Sequence, residues 1–288
     1  MIFKLSILGA LALCMSITAN AQLSGPQALA FDSAGNLWVA NPGAGNVLEL
    51  DASTGAVLNT ITNGVDGPSE LFFVGSDLYV VNTNGYTITE YDNLTQSGGA
   101  LIGTTSIPSS INLSLGAAVD AYGDVYISGN QSGNIVVLNI NGGQIENLTQ
   151  DEQGFPFYPG GRLAIEGQNI YAAFGSGDGE DAVISYNVGE FLTGDPQEIT
   201  VYNDNVDTGP TGIAFDKTGN VYISEYYSQS WVKYAPTNGN DPVCAVTSHV
   251  HYPEGIAVAR SGKIYVSNSS ANNITWYRPD CAYGGTID

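Results

Sequence analysis

The sequence predicts an all-β protein, a six-bladed β-propeller of four-stranded antiparallel blades, on three observations. One phrase returns six times: a Gly/Pro pair, a small apolar run, a D-x-x-G-type turn and then an aromatic-led apolar run. Its copies start at Pro26, Pro68, Ser114, Pro159, Pro210 and Pro253, a period of roughly 40–50 residues. Every segment between turn signals is strand-like, so each repeat reads as one sheet and the array as a ring.

The elements follow in order within a repeat, most clearly in the fifth. Gly212 to Phe215 is a short apolar inner strand. Asp216-Lys217-Thr218-Gly219-Asn220 is a hairpin turn whose glycine takes positive φ. Val221 to Ser224 forms the second strand, Ser230 to Tyr234 alternates as the third, and Pro242 to Thr247 is the outer fourth. Third strands elsewhere begin near Asn46, Tyr86, Asn134, Asp181 and Asn273. Small residues such as Ala30, Ala118, Ala214 and Ala257 suit inner strands that crowd an axis. The aromatics opening the second strands (Trp38, Tyr79, Tyr126, Tyr171, Tyr222, Tyr265) are expected to pack between blades. Asp32, Asp120 and Asp216 read as Asx-type turn formers rather than calcium ligands.

Residues 1–21 read as a signal peptide cleaved after Ala21: Lys4, then the apolar run Leu5–Leu13, then Ala19-Asn20-Ala21. Residues 22–288 are left as a single propeller domain, secreted, without a membrane span and monomeric. Formal charge is −21, becoming −22 once Lys4 leaves with the leader. Such a field repels phosphate and excludes nucleic acid as a partner. Cys244 and Cys281, the two cysteines beyond the leader, read as a disulfide in an oxidising compartment. Sequons at Asn93, Asn112, Asn130, Asn147, Asn268 and Asn273 lean towards a glycoprotein.

The phrase P-x-G-I-A-x-D-x-x-G-N-x-Y resembles the NHL-repeat signature, over essentially the whole chain beyond the leader. Related six-bladed propellers include the gluconolactonase and senescence-marker group, strictosidine-synthase-like proteins and streptogramin lyases. The lactonase resemblance implies a divalent-cation site. Its members carry a Glu before the first Gly-Pro, where this chain has Ser24, whereas Glu254 stands at a P-D-G-type Asp and Asn41, Asn82 or Asn268 offer amide oxygens. The lyase resemblance reaches Glu225, just after a second strand.

An up-and-down meander places two sets of residues towards one face. The first follows the anchors: Gln27, Ser69, Leu115, Gly160, Thr211 and Glu254. The second follows the second strands: Asn41, Asn82, Gly129, Phe174, Glu225 and Asn268. Glu254, Glu225 and Asn268 form a candidate set for Ca²⁺ or a similar cation, against the alternative that they cap loop backbone. Glu254 and Glu225, with His251 as base, are the candidate catalytic groups. Asn41, Asn82, Phe174, Tyr226, Tyr252, Asn268 and His249 are candidate ligand-binding residues, joined at the mouth by Phe155, Phe157, Tyr158 and Tyr227. No nucleophile motif is present. The reading is a propeller binding a small molecule or glycan. The alternatives are a metal-assisted lactone or ester hydrolase or lyase, and a disc that binds a protein partner.

Overall fold

The computed structural model describes residues 22–92, 99–111, 114–129, 132–139, 143–148, 161–174, 182–193, 198–202, 209–236 and 238–288. Residues 1–21, expected to be a signal peptide, and the sequons at Asn93, Asn112 and Asn130 lie outside them, as do Phe155, Phe157 and Tyr158. Among the described residues, twenty-four strands form six four-stranded sheets, each an antiparallel meander in chain order. The fold is a six-bladed β-propeller. The fifth blade comprises Pro210–Phe215, Val221–Glu225, Ser230–Ala235 and Asn238–Val246. Helical structure among the described residues is limited to Val188–Thr193 and a 3-10 turn at Pro42–Ala44. No helix there is long and apolar enough to cross a membrane.

Why these sheets form a ring is visible in the core. It divides into six apolar clusters, each shared by two neighbouring blades. Trp38 of blade one packs with Leu71, Leu78 and Val80 of blade two. Tyr222 of blade five packs with Ile256, Ile264 and Val266 of blade six. The last cluster joins Tyr265 and Ile274 of blade six to Leu29, Leu37 and Val39 of blade one. Both faces of every sheet are therefore buried, and the alternating side chains of each strand feed two seams. The seam aromatics are buried as expected.

The repeated phrase is also a hydrogen-bonded unit. Asp216 Oδ1 accepts the backbone N–H groups of Thr218 at 2.9 Å and Asn220 at 3.1 Å, while its Oδ2 accepts the Tyr222 hydroxyl at 2.9 Å. Asp32 and Asp120 repeat the pattern with Trp38 and Tyr126. The turn acid thus satisfies the polar tip of the aromatic that its own turn delivers into the seam. Partial burial raises the Asp216 pKa, but bonds from Thr218, Asn220 and Tyr222 outweigh it and hold the carboxyl below the ordinary 3.8. A depressed folded-state value gives stability that is present above pH 3.8 and lost as pH falls below it. Asp216→Asn is expected to flatten that acid limb and to cost roughly 1 kcal/mol at neutral pH, read by chemical unfolding.

The serine in the second strand supplies the inter-blade link. Ser267 Oγ accepts Gly255 N–H at 2.8 Å and donates to Gln27 O at 2.6 Å, bonding blade six to blade one. Ser224 bonds Gly212 and Glu254 O, and Ser128 bonds Gly116 and Gly161 O, in the same way. Blade one contributes all four of its own strands, so the ring closes through side chains rather than through a shared sheet. Tyr265 to Ala52 O at 2.9 Å reinforces that closure. The expected disulfide is present. Cys244, in the fourth strand of blade five, pairs with Cys281, in the turn before the fourth strand of blade six, with Cα atoms 6.7 Å apart. Cross-linking across 37 residues is worth about 2–4 kcal/mol.

Candidate functional site

The inner-strand register defines equivalent positions. Ala30, Phe72, Ala118, Ala164, Ala214 and Ala257 each face the seam aromatic of their own second strand. Counting back three residues gives Gln27, Ser69, Leu115, Gly161, Thr211 and Glu254. The fourth blade therefore contributes Gly161 rather than Gly160 to this level. Its first hairpin is one residue shorter than that of blade five, so counting back from its aromatic lands one residue early.

One step deeper, the same column reads Ala28, Glu70, Gly116, Arg162, Gly212 and Gly255. Three of these are glycines because the neighbouring inner strand comes close: a Cβ on Gly255 would sit 2.3 Å from Gln27 O and one on Gly212 2.9 Å from Glu254 O. Arg162 Nη1 meets Glu70 Oε2 at 3.0 Å, in an ion pair with both side chains buried. The same nitrogen bonds Ser69 O, and Arg162 Nε reaches Glu254 O at 3.3 Å. One guanidinium therefore ties blades two, four and six together across the axis. Gly116 is needed beside it, since a Cβ there would sit 2.6 Å from Arg162 Cα. Burial pushes the Glu70 carboxyl up, and the guanidinium opposes that rise.

Tyr226 and Tyr227 follow the second strand of blade five and Tyr252 precedes the inner strand of blade six, and the three rings meet at the expected mouth. Tyr226 contacts Tyr252 with ring centroids 5.0 Å apart and Tyr227 at 5.4 Å. Tyr227 is 66% exposed and Tyr252 39%. Glu254 is half-buried beside them. Burial raises its carboxyl above the ordinary 4.5, with Arg162 opposing. The Tyr226 phenol is raised by burial and then by the charge of Glu254. Tyr252 also has φ of 49°. Its counterparts before the anchor prolines are Gly25, Gly67 and Gly209, all at positive φ. An aromatic thus occupies a left-handed position that three other blades give to glycine, the kind of strain that collects at functional sites.

Of the residues singled out by sequence, Tyr226, Tyr252 and Glu254 come together here, with Tyr227. The others are placed differently. Asn41, Asn82 and Asn268 are fully buried and hold loop backbone. Asn41 Oδ1 accepts Ser24 N–H at 2.6 Å, Asn82 Oδ1 accepts Asp66 N–H at 2.9 Å, and Asn268 Oδ1 accepts His251 N–H at 2.8 Å. This corrects their expected place at the mouth, because second-strand side chains point into the seams while only inner strands border the axis. Their burial also bars a glycan at Asn268. Glu225 is buried and accepts hydroxyls from Ser228 at 3.1 Å and from Ser230. Phe174 packs at the seam of blades three and four. His251 is exposed, and His249 stacks on Tyr283 at 3.8 Å.

Among the described residues no three His, Cys, Asp or Glu side chains converge as a metal set. Of the proposed ligands, Glu225 Oε2 accepts from Ser228 and Ser230, and Asn268 Oδ1 accepts His251 N–H. Asn147 and Asn273 are partly buried, and their Oδ1 atoms accept from Asn134 and Asn268.

No protein-family model matches the chain. No curated protein matches it either. Solved structures do. A streptogramin B lyase is 15% identical with a TM-score of 0.64, covering 94% of this chain and 85% of its own. The chain has the fold of the six-bladed propellers. A catalytically inactive variant of virginiamycin B lyase from Staphylococcus aureus, solved with quinupristin, is 13% identical with a TM-score of 0.64, covering 92% and 86%. Hydrazine synthase of Kuenenia stuttgartiensis aligns with a TM-score of 0.66 at 14% identity, over 93% of this chain and 99% of that one. A nidogen/laminin complex gives a TM-score of 0.64 at 14% identity, covering 84% and 90%. At these identities the likeness is one of fold.

Proposed function

We propose that this exported propeller binds a glycan or similar small polar ligand at the mouth between blades five and six. The observation that carries the reading is the Tyr226–Tyr227–Tyr252 platform, open to solvent at Tyr227 and Tyr252, beside the half-buried Glu254 carboxyl. Aromatic faces stack on the apolar face of a sugar ring, and a carboxylate accepts its hydroxyls. Net charge of −21 favours a neutral or cationic ligand over an acidic one. Titration calorimetry against neutral oligosaccharides tests this. Tyr227→Ala and Tyr252→Ala should each weaken binding at least tenfold, and affinity should rise with pH as Glu254 ionises, above the ordinary 4.5. Absence of saccharide binding, or indifference to both substitutions, rejects the reading.

A second reading rests on the raised Glu254 carboxyl, which can hold a proton for general-acid work. The fold likeness to streptogramin lyases is compatible with a lyase or lactone hydrolase here. Turnover in a lactone and arylester panel, with and without added Ca²⁺, that disappears in Glu254→Gln would favour it. The nidogen/laminin likeness supports no more than the general capacity of such discs to hold a protein.

A further inference from the structure

The Glu254 carboxylate at the mouth is left unanswered by the fold. Among the described residues, no hydrogen bond or ion pair meets it. The Arg162 guanidinium, the cation nearest in effect, is already paired with Glu70 at 3.0 Å. Glu225 differs, since Ser228 and Ser230 both donate to it. Glu254 is half-buried, so water meets it on one side only. Its charge is felt at the Tyr226 phenol, which puts the carboxylate beside the three tyrosines.

We propose that the ligand at this mouth is an amino sugar without its acetyl group, whose ammonium pairs with Glu254 while its apolar face lies on Tyr227 and Tyr252. Such a ligand presupposes the saccharide site proposed above and narrows its class. A bound sugar covers the mouth and strips the carboxylate of its remaining water, and a lone charge buried that way is costly. A neutral hydroxyl supplies a hydrogen bond without the charge. An ammonium supplies three donors and the counter-charge together. The rings favour a sugar carrying the amine over an alkylated ammonium. Tyr226 lies 5.0 Å from Tyr252 and 5.4 Å from Tyr227, centroid to centroid, so the rings touch and leave no cage for a cation between them. Side by side they offer a surface to a saccharide ring instead. The formal charge of −21 draws such a cation in and repels an acidic sugar.

The test uses residues 22–288. Calorimetry at pH 6.5 compares a glucosamine trisaccharide, its N-acetylated counterpart and spermidine, a polycation without a sugar face. The amino trisaccharide should bind at least tenfold more tightly than either of the others. Raising salt from about 50 to about 500 mM should narrow its preference over the acetylated sugar at least threefold. Glu254→Gln should reduce that preference to about twofold, and the salt series on the parent protein serves if the variant does not fold. Tyr227→Ala should weaken the amino trisaccharide at least tenfold but not spermidine. Equal affinity for the two trisaccharides overturns the amino-sugar assignment and leaves the saccharide site standing, whereas binding of neither removes both. Spermidine binding as tightly as the amino trisaccharide, or a preference that survives in folded Glu254→Gln or in high salt, overturns the proposal as well.

Discussion

Replacing Arg162 by methionine lowers the unfolding free energy by about 3–5 kcal/mol at neutral pH, because it leaves Glu70 buried without its counter-charge. The site makes this cost unusually hard to relax. Arg162 also bonds Ser69 O and Glu254 O, so the substitution removes the link between blades two, four and six at the same time. The pH dependence has a definite sign. Without the guanidinium, burial raises the Glu70 carboxyl further above 4.5. A group raised in the folded state contributes stability that is present below its unfolded value and lost as pH rises through the folded one. Arg162→Met should therefore be least damaged near pH 4 and most damaged at pH 7. The double variant Arg162→Met/Glu70→Leu should recover to within about 1 kcal/mol of the parent, since an apolar pair is tolerated where a lone charge is not. Urea unfolding across pH reads all three outcomes. A single-variant loss below about 1 kcal/mol at pH 7 would contradict the pair's assigned role.

Tyr252→Gly should move stability and binding in opposite directions. A side chain at φ of 49° costs about 1–2 kcal/mol relative to glycine, and Gly25, Gly67 and Gly209 show that the fold accepts glycine at this step. Part of the gain is offset by the lost contact with Tyr226 and by the greater freedom of glycine in the unfolded chain. A net stabilisation of roughly 0.5–1 kcal/mol remains. Ligand binding at the mouth should fall at least tenfold, because one of the two most exposed rings of the platform is gone. Thermal unfolding and calorimetry on the same preparation make the comparison. A variant that loses stability while binding as before would show that Tyr252 serves packing rather than recognition.

The fold was legible because its signal is repeated. Six copies of one phrase specify the same turn, seam aromatic and small inner residue, so degeneracy in any one blade is covered by the others. Sidedness was harder to read. Asn41, Asn82 and Asn268 stand at strand ends near one face, but position along a strand does not say whether a side chain faces the axis or a seam. Only the blade-to-blade packing decides that. Glu70 and Arg162 were within reach of the sequence. They interrupt a column of Ala28, Gly116, Gly212 and Gly255, but the shorter hairpin of blade four shifts that column by one residue. Tyr252 likewise interrupts a column of glycines. The pairing of Cys244 with Cys281 was legible from two cysteines in an oxidising compartment, and the adjacency of blades five and six is what brings their outer parts within reach.

Closure of the ring by side chains alone has a consequence for the order of events during synthesis. Each blade except the first can dock on a predecessor that has already emerged, whereas one flank of blade one has no neighbour until blade six arrives. That flank carries Leu23, Leu29, Leu37, Val39, Leu48 and Leu50, an apolar surface that stays wet through most of chain elongation. It is the part of the nascent protein most exposed to mispairing with other chains. The first blade made is thus the one that waits longest to be covered.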